Sequence, residues 1–356
     1  MPLASNENEA RNARRALTEP TRRLFARGNA FLGTQAPILC GAMTWVSTPK
    51  LVAAVTRAGG FGALAGGNMP SALLDQAIGE TRTLTGGRPF AVNVITLGPA
   101  YQNHLDVLER NPPPVVVFAG GLPRDTEIAR MKATGAKVMC FASTESLARR
   151  LLAFGTDALI LEGTEAGGHV GPVCLAVLLQ QVLFHFGDEV PIFVAGGIGT
   201  GRLMAHLLML GAAGVQMGTR FAVARECETH PRFKEALFRA AAREAQATGQ
   251  FDPALHVVAV RALRNEGTRD FERLQLDLIA MVQSGKVAQA DAQAQIENFW
   301  IGGLRRAAVD GDVERGSMMA GQSVGLVFRE ETVQEIIDGM VQDCVAEIAR
   351  CRENLA

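Results

Sequence analysis

Residues 191–219 read PIFVAGGIGTGRLMAHLLMLGAAGVQMGT. An apolar run, PIFVAGG, leads through glycines into RLMAHLLML, which has helical spacing, and then into a second apolar run, GVQMGT. This is one strand–helix–strand unit, and two architectures are built from such units: an open doubly wound sheet and a closed (β/α)8 barrel. The open sheet asks for a dinucleotide fingerprint after its first strand. Residues 37–48 carry no G-x-G-x-x-G. The nearest approach, AGGIGTGRL, has Arg202 in the third glycine position and no acidic residue about 20 positions further on.

Six more runs of the same kind precede this unit: PILCGA (37–42), GFGALAG (60–66), PFAVNVI (89–95), VVVFAG (115–120), KVMCFA (137–142) and ALILEG (158–163). With 191–197 and 214–219 they make eight. Helical stretches lie between them, such as TPKLVAAVTRAG, and STESLARRLLAFG with Ser143 as the expected cap. The runs are apolar along most of their length, as strands of a parallel sheet covered on both faces must be. The expected fold is therefore an α/β TIM barrel. Beyond it, residues 225–300 hold polar–apolar helical stretches, among them RFKEALFRAAAREAQATG and DFERLQLDLIAMVQSG, and no strand run is expected there. The division that follows is a leading extension (1–35), the barrel (36–224), a smaller helical unit inserted after strand 8 (225–315) and a segment returning to the barrel (316–356). In that last segment Val333, Ile336, Ile337, Met340, Val341, Cys344, Val345 and Ile348 form one helical stripe.

Composition narrows the function. The chain of 356 residues is 48% hydrophobic and 20% charged, which marks a globular protein. With 35 basic and 36 acidic side chains its net charge is −1, so nothing electrostatic argues for nucleic acid or an anionic membrane. No apolar run reaches the ~18 residues of a bilayer span. Arg11, Arg14, Arg15, Arg22, Arg23 and Arg27 crowd the start, but Glu7, Glu9 and Glu19 lie among them. A solvated, helical leader is expected there, not a transit peptide. Six scattered cysteines without C-x-x-C spacing argue against a zinc site or a disulfide framework and point to a reducing, cytoplasmic compartment. No metal site is expected.

In a barrel of this kind the chemistry gathers on loops at the C-terminal ends of the strands. The unusual residues fall there: GAMTW after strand 1, VNVI at the end of strand 3, EGTEAGGHVG after strand 6, AGGIGTG after strand 7 and QMGTR at the end of strand 8. Backbone amides of Gly196, Gly197, Gly218 and Thr219, with a helix dipole behind them, suit a phosphate. The glycines could otherwise serve only as tight turns. His169 faces the same mouth and is expected to move a proton. His104, His185, His206, His230 and His256 lie in or beside helices or in the late unit, where structural roles are expected. A phosphate-anchored cofactor beside a proton-transfer histidine is the simplest scheme.

GAMTWVSTPKLVAAVTRAGGFGALAGGNMP, PFAVNVITLGP, EGTEAGGHVG, VAGGIGTGRLMAHLLMLGAAGVQMGTRF, HPRFK and DGDVERGSMMAGQSVGLV together resemble the flavin-dependent family of nitronate monooxygenases (2-nitropropane dioxygenases) and flavin-type enoyl-acyl-carrier-protein reductases. The resemblance runs from about Pro37 to Val327. It implies an FMN-containing barrel with Ala42, Met43 and Thr44 beside the isoalloxazine, and Asn93 and Glu162 on the ring or ribityl chain. Gly168 is a further cofactor-binding position, Gly196, Gly197, Gln216, Met217, Gly218 and Thr219 hold the phosphate end, and His169 takes the place of the active-site histidine. It places oxidation of alkyl nitronates with O2 first and NAD(P)H-dependent reduction of an enoyl thioester second. A quinone-type flavin reductase and a catalytically silent flavin barrel stand behind these. Acyl carrier protein and a second copy of the chain are the macromolecular partners it suggests. In one respect the chain departs from the pattern: some nitronate-oxidising relatives carry a lysine at the end of strand 5, where this chain reads MCFAST.

Overall fold

A computed structural model describes residues 17–355 apart from 99, 253, 254 and 256. Arg11, Arg14, Arg15 and His256 therefore lie outside the described residues. The strands are β1 (Ile38–Cys40), β2 (Phe61–Ala65), β3 (Ala91–Ile95), β4 (Val115–Ala119), β5 (Lys137–Ala142), β6 (Ala158–Glu162), β7 (Gly168–His169), β8 (Ile192–Ala195), β9 (Gly214–Met217), β10 (Ala245–Ala247) and β11 (Val260–Leu263). Eight of them close into a barrel in the order β1-β2-β3-β4-β5-β6-β8-β9. Closure is parallel, with Ile38 opposite Val215 and Cys40 opposite Met217. All eight runs read as staves are staves, so the seventh and eighth correspond to β8 and β9.

Side chains alternate between the two faces of each stave. Leu39, Phe61, Ala63, Ala91, Val115, Val117, Met139, Ile160, Phe193 and Ala195 form a packed interior. Val92, Val116, Val138, Leu159, Leu161, Val194 and Val215 point outward into the helix layer. Two positions along from Ala91, Met139, Ile160 and Gly214 come Asn93, Phe141, Glu162 and Gln216. The same period that fills the barrel thus turns three polar side chains inward at its C-terminal end.

The leader departs from the solvated segment expected. Its described part forms the helix Glu19–Leu32, with Thr21, Phe25, Gly28 and Leu32 buried. A Cβ on Gly28 would stand 1.8 Å from the Ala213 carbonyl oxygen, so the helix presses directly on the backbone before β9. Phe31 meets Phe193 at 5.9 Å and plugs the N-terminal end of the barrel. On the outer wall Thr144, not Ser143, caps the helix Glu145–Ala153: its side chain accepts from the Leu147 amide. The final helix, Val333–Leu355, buries the expected stripe. It crosses the helix Gly201–Met209 where a Cβ on Gly201 would lie 2.1 Å from the Met340 carbonyl oxygen.

The late segment is not purely helical. The helix Pro231–Arg239 stops well before the end of the stretch read as helix, and Ala245–Ala247 is strand. β10 and β11 pair antiparallel, and β11 pairs with β7 to make a three-stranded sheet. Both strands are short and neither alternates cleanly, so their signal is lost among helix formers. The helices Glu266–Gln283 and Gln289–Ala308 follow and share a separate core of Leu255, Val260, Phe271, Leu278, Ile296 and Trp300. Phe271 and Trp300 rings lie 4.0 Å apart.

Candidate active site

A cavity of about 250 Å³ opens at the C-terminal end of the barrel. Ala42, Met43, Thr44, Asn93, Glu162, Gly168, His169, Gly196, Gly197, Gln216, Met217, Gly218 and Thr219 all line it. The residues read by position, His169 and the four of the glycine loops, thus share one chamber with those the resemblance implies.

The loop after β1 is tightly made. The Met43 carbonyl accepts from the Val46 and Ser47 amides, while the Ser47 hydroxyl accepts from the Met43 amide at 3.0 Å and donates to the Gly41 carbonyl at 2.8 Å. Asn68, at the end of β2, donates to the Thr44 hydroxyl at 3.0 Å. The Asn93 amide nitrogen donates to the Val117 carbonyl at 3.1 Å, which fixes the side chain and leaves its oxygen for a ligand. Glu162 sits against apolar staves, and burial pushes its carboxyl up to about 8. At neutral pH it is mostly protonated and can donate a hydrogen bond. Glu165 is structural: its carboxylate accepts from the Leu175 amide at 3.1 Å.

At the ends of β8 and β9, the amides of Gly196, Gly197, Gly218 and Thr219 make no backbone hydrogen bond among the described residues. Gly196 has φ +107° and Gly197 φ +69°, conformations that suit glycine. A Cβ on Gly218 would meet only the Met43 side chain, its sulfur at 3.4 Å. The Thr219 hydroxyl accepts from the Gly321 amide at 3.1 Å and so pins the returning segment. The helix dipole expected here is slight, because the helix Thr219–Ala222 has only four residues. An anion would be held by main-chain amides instead.

The glycines before His169 have distinct tasks. A Cβ on Gly167 would lie 2.5 Å from the Gly321 nitrogen, so close approach to the returning segment excludes any side chain. Gly168 has φ +81°. The chain then enters β7, where His169 stands opposite Val260 and Gly168 opposite Arg261. The Arg261 guanidinium donates to the Thr164 carbonyl at 2.9 Å and the Ala245 carbonyl at 2.6 Å, tying the histidine loop to β10. The His169 Nε2 lies 3.6 Å from the Glu297 carboxylate, on the helix Gln289–Ala308.

Several lining residues escape a reading by position. Asn68 follows GG at a stave end and had the right address. Glu297, Trp300, Ile301 and Leu304 look in sequence like any amphipathic helix, and only the fold brings them to the cavity. The other described histidines are engaged elsewhere. His104 Nε2 meets the Met69 carbonyl at 2.7 Å, and His185 Nδ1 meets the Gln180 carbonyl at 3.1 Å. His230 caps the helix Pro231–Arg239, and His206 pairs with Glu347 at 2.8 Å. Cys351 lies close enough to His206 and Glu347 to share a metal ion, but Arg202 and Arg350 already hold the Glu347 oxygens.

No helix among the described residues is long and apolar enough to cross a membrane. The chain resembles FabK of Thermotoga maritima in structure, with TM-score 0.81 and 36% identity over 92% of this chain and 98% of that one. Nitroalkane oxidase of Streptomyces ansochromogenes gives TM-score 0.72 and 29% identity over 91% and 98%. A curated relative, the (3aS,4S,5R,7aS)-5-hydroxy-7a-methyl-1-oxo-octahydro-1H-indene-4-carboxyl-CoA dehydrogenase of Rhodococcus jostii, is 30% identical over 338 residues, spanning 89% of this chain and 95% of the relative. The nitronate monooxygenase family model matches residues 27–104 and 95–343. With this barrel, this chamber and these matches, the chain belongs to the nitronate monooxygenase family of oxidoreductases.

Proposed function

We propose that the chain is an FMN-dependent reductase that takes electrons from NAD(P)H and reduces the double bond of an enoyl thioester. One observation carries this choice: among the described residues no lysine or arginine lines the cavity, whereas two carboxyl groups, Glu162 and Glu297, do. Phe141 stands at the end of β5, where a cation would greet an anionic nitronate. The wall opposite the barrel is apolar, built from Phe233, Trp300, Ile301, Leu304 and Met319. A neutral acyl chain gains from that wall, and an anion pays desolvation there without a partner.

The fit to FMN rests on the uncommitted amides at Gly196, Gly197, Gly218 and Thr219 and on the open space above Gly218. Those amides would grip the terminal phosphate, while Asn93 and protonated Glu162 present an acceptor and a donor to the polar edge of the nucleotide. FMN held at these amides and beside Asn93 and Glu162 would supply hydride-transfer chemistry between a nicotinamide and the β-carbon of the thioester. His169 holds the proton for the α-carbon at its imidazole, and Glu297 sits 3.6 Å from Nε2. The apolar wall seats the acyl chain and excludes water. On this reading residues 225–315 form the substrate-side unit.

A second reading, oxidation of alkyl nitronates with O2, is favoured by the likeness to nitroalkane oxidase. His169 would then take a proton from a neutral nitroalkane. The coenzyme A ester in the name of the Rhodococcus jostii relative supports a thioester instead. Anaerobic mixing separates the two. Flavin absorbance should bleach with NADPH or NADH and return when a crotonyl thioester is added. Bleaching by propyl nitronate alone overturns the reductase reading.

A further inference from the structure

Trp45 is the one non-glycine residue with positive φ among those described, at +66°. An aromatic residue in that conformation costs of order 1–3 kcal/mol and persists only where its surroundings over-determine it. They do so here: the bonds among Gly41, Met43, Val46 and Ser47 fix the backbone on either side. The indole N–H donates to the Ile301 carbonyl at 3.2 Å, which sets the plane of the ring. Yet the residue remains 43% exposed. A side chain that served only to fasten the β1 loop to the helix Gln289–Ala308 would bury its apolar face instead. The Arg305 guanidinium lies 5.9 Å from the ring centroid. Its other partner is Asp310 at 3.3 Å, in a half-exposed pair that exchanges at little cost. Thr44 and Leu304, the chain neighbours of this pair, and Ile301, whose carbonyl Trp45 bonds, line the cavity. A rigid aromatic plane and a cation therefore stand together at the rim of a chamber that has no cation within.

We propose that Trp45 and Arg305 form a subsite for the adenine and phosphate end of a nucleotide-bearing carrier, either an acyl-CoA thioester or a nicotinamide dinucleotide. This rests on the reductase reading for what enters the cavity, but not for whether the subsite binds. A purine stacks on the open side of the indole, and a phosphate meets the guanidinium. The reactive end, acyl or nicotinamide, then reaches inward while the phosphates stay in water. Both sources share this chemistry, and their fragments tell them apart.

The test uses the purified, FMN-loaded protein, titrated with adenosine 3′,5′-bisphosphate as the coenzyme A fragment and with ADP-ribose as the dinucleotide fragment. Binding is read by calorimetry and by quenching of tryptophan fluorescence, and flavin content is measured separately. At least one fragment should bind and quench, and the quench should vanish in Trp45→Ala. Trp45→Ala and Arg305→Gln should each weaken that fragment about tenfold, within the range for losing one base stack. If coenzyme A is the source, KM for its crotonyl thioester should rise by about the same factor, while KM for crotonyl-pantetheine, which lacks the adenine, stays put. If Trp45→Ala fails to fold, the exposed Arg305→Gln variant decides alone. Absence of binding by both fragments to the unaltered protein, or unweakened binding in the folded variants, overturns the subsite. Fragment binding without bleaching of the flavin by NADPH or NADH would defeat the reductase reading and leave the subsite standing.

Discussion

At the scale of single residues, the chamber depends on which atoms carry protons. His169→Ala should retain FMN while turnover of the thioester falls on the order of 10²–10⁴-fold, the usual worth of a positioned acid or base. Stopped-flow mixing checks this, because bleaching by NAD(P)H should keep its rate while the second half-reaction slows. Unchanged rates in both halves would remove the histidine from the mechanism. Glu162 yields a prediction about stability. Its carboxyl stays neutral in the fold up to about pH 8, whereas the ordinary value is 4.5, so the unfolded chain gives up the proton first. The stability tied to this group is intact below about pH 4.5 and is lost as pH climbs through about 8, amounting to roughly a few kcal/mol. The melting temperature of the flavin-free protein should therefore fall over that window relative to Glu162→Gln. A constant difference between the two melting curves counts against a buried, neutral carboxyl.

At the scale of elements, backbone contact replaces side-chain choice. Gly28→Ala should destabilise the protein by about 2–4 kcal/mol, because its Cβ meets the Ala213 carbonyl and neither backbone can yield cheaply. Chemical denaturation measures it. Gly197→Val should release FMN on dialysis, since φ +69° is strained for valine and the methyls would crowd the phosphate loop. Full retention of flavin would show that the anion lies elsewhere. The staves were legible because eight short apolar runs recur along the chain with helical stretches between them. The glycine loops were legible because their places at stave ends follow from the fold. β10 and β11 were not, since three or four residues without alternation give no period to detect. Nor was the packed leader, whose charged outer face hides the stripe of Thr21, Phe25, Gly28 and Leu32.

At the scale of the whole molecule, two parts of the chain divide the labour. The barrel offers the residues suited to hold a nucleotide, and the helix Gln289–Ala308 lines the same cavity with Trp300, Ile301 and Leu304, the wall against which a substrate would lie on the reductase reading. Leu304→Glu, which places a charge on that wall, should raise KM for enoyl thioesters about tenfold while leaving flavin content and bleaching by NAD(P)H unchanged. Loss of both half-reactions together would show that the wall belongs to the flavin site. Glu297 was invisible in sequence for the same reason: its meaning lies in a contact between distant parts of the chain, and no local pattern records it.

The pairing of β7 with β11 has a consequence for how the enzyme matures. The strand that bears His169 finds its hydrogen-bonding partner only at Val260, long after all eight staves have been synthesised. On the reductase reading, a chain ending before Val260 would leave the imidazole without its strand partner, so protonation of the thioester product should await synthesis of β11.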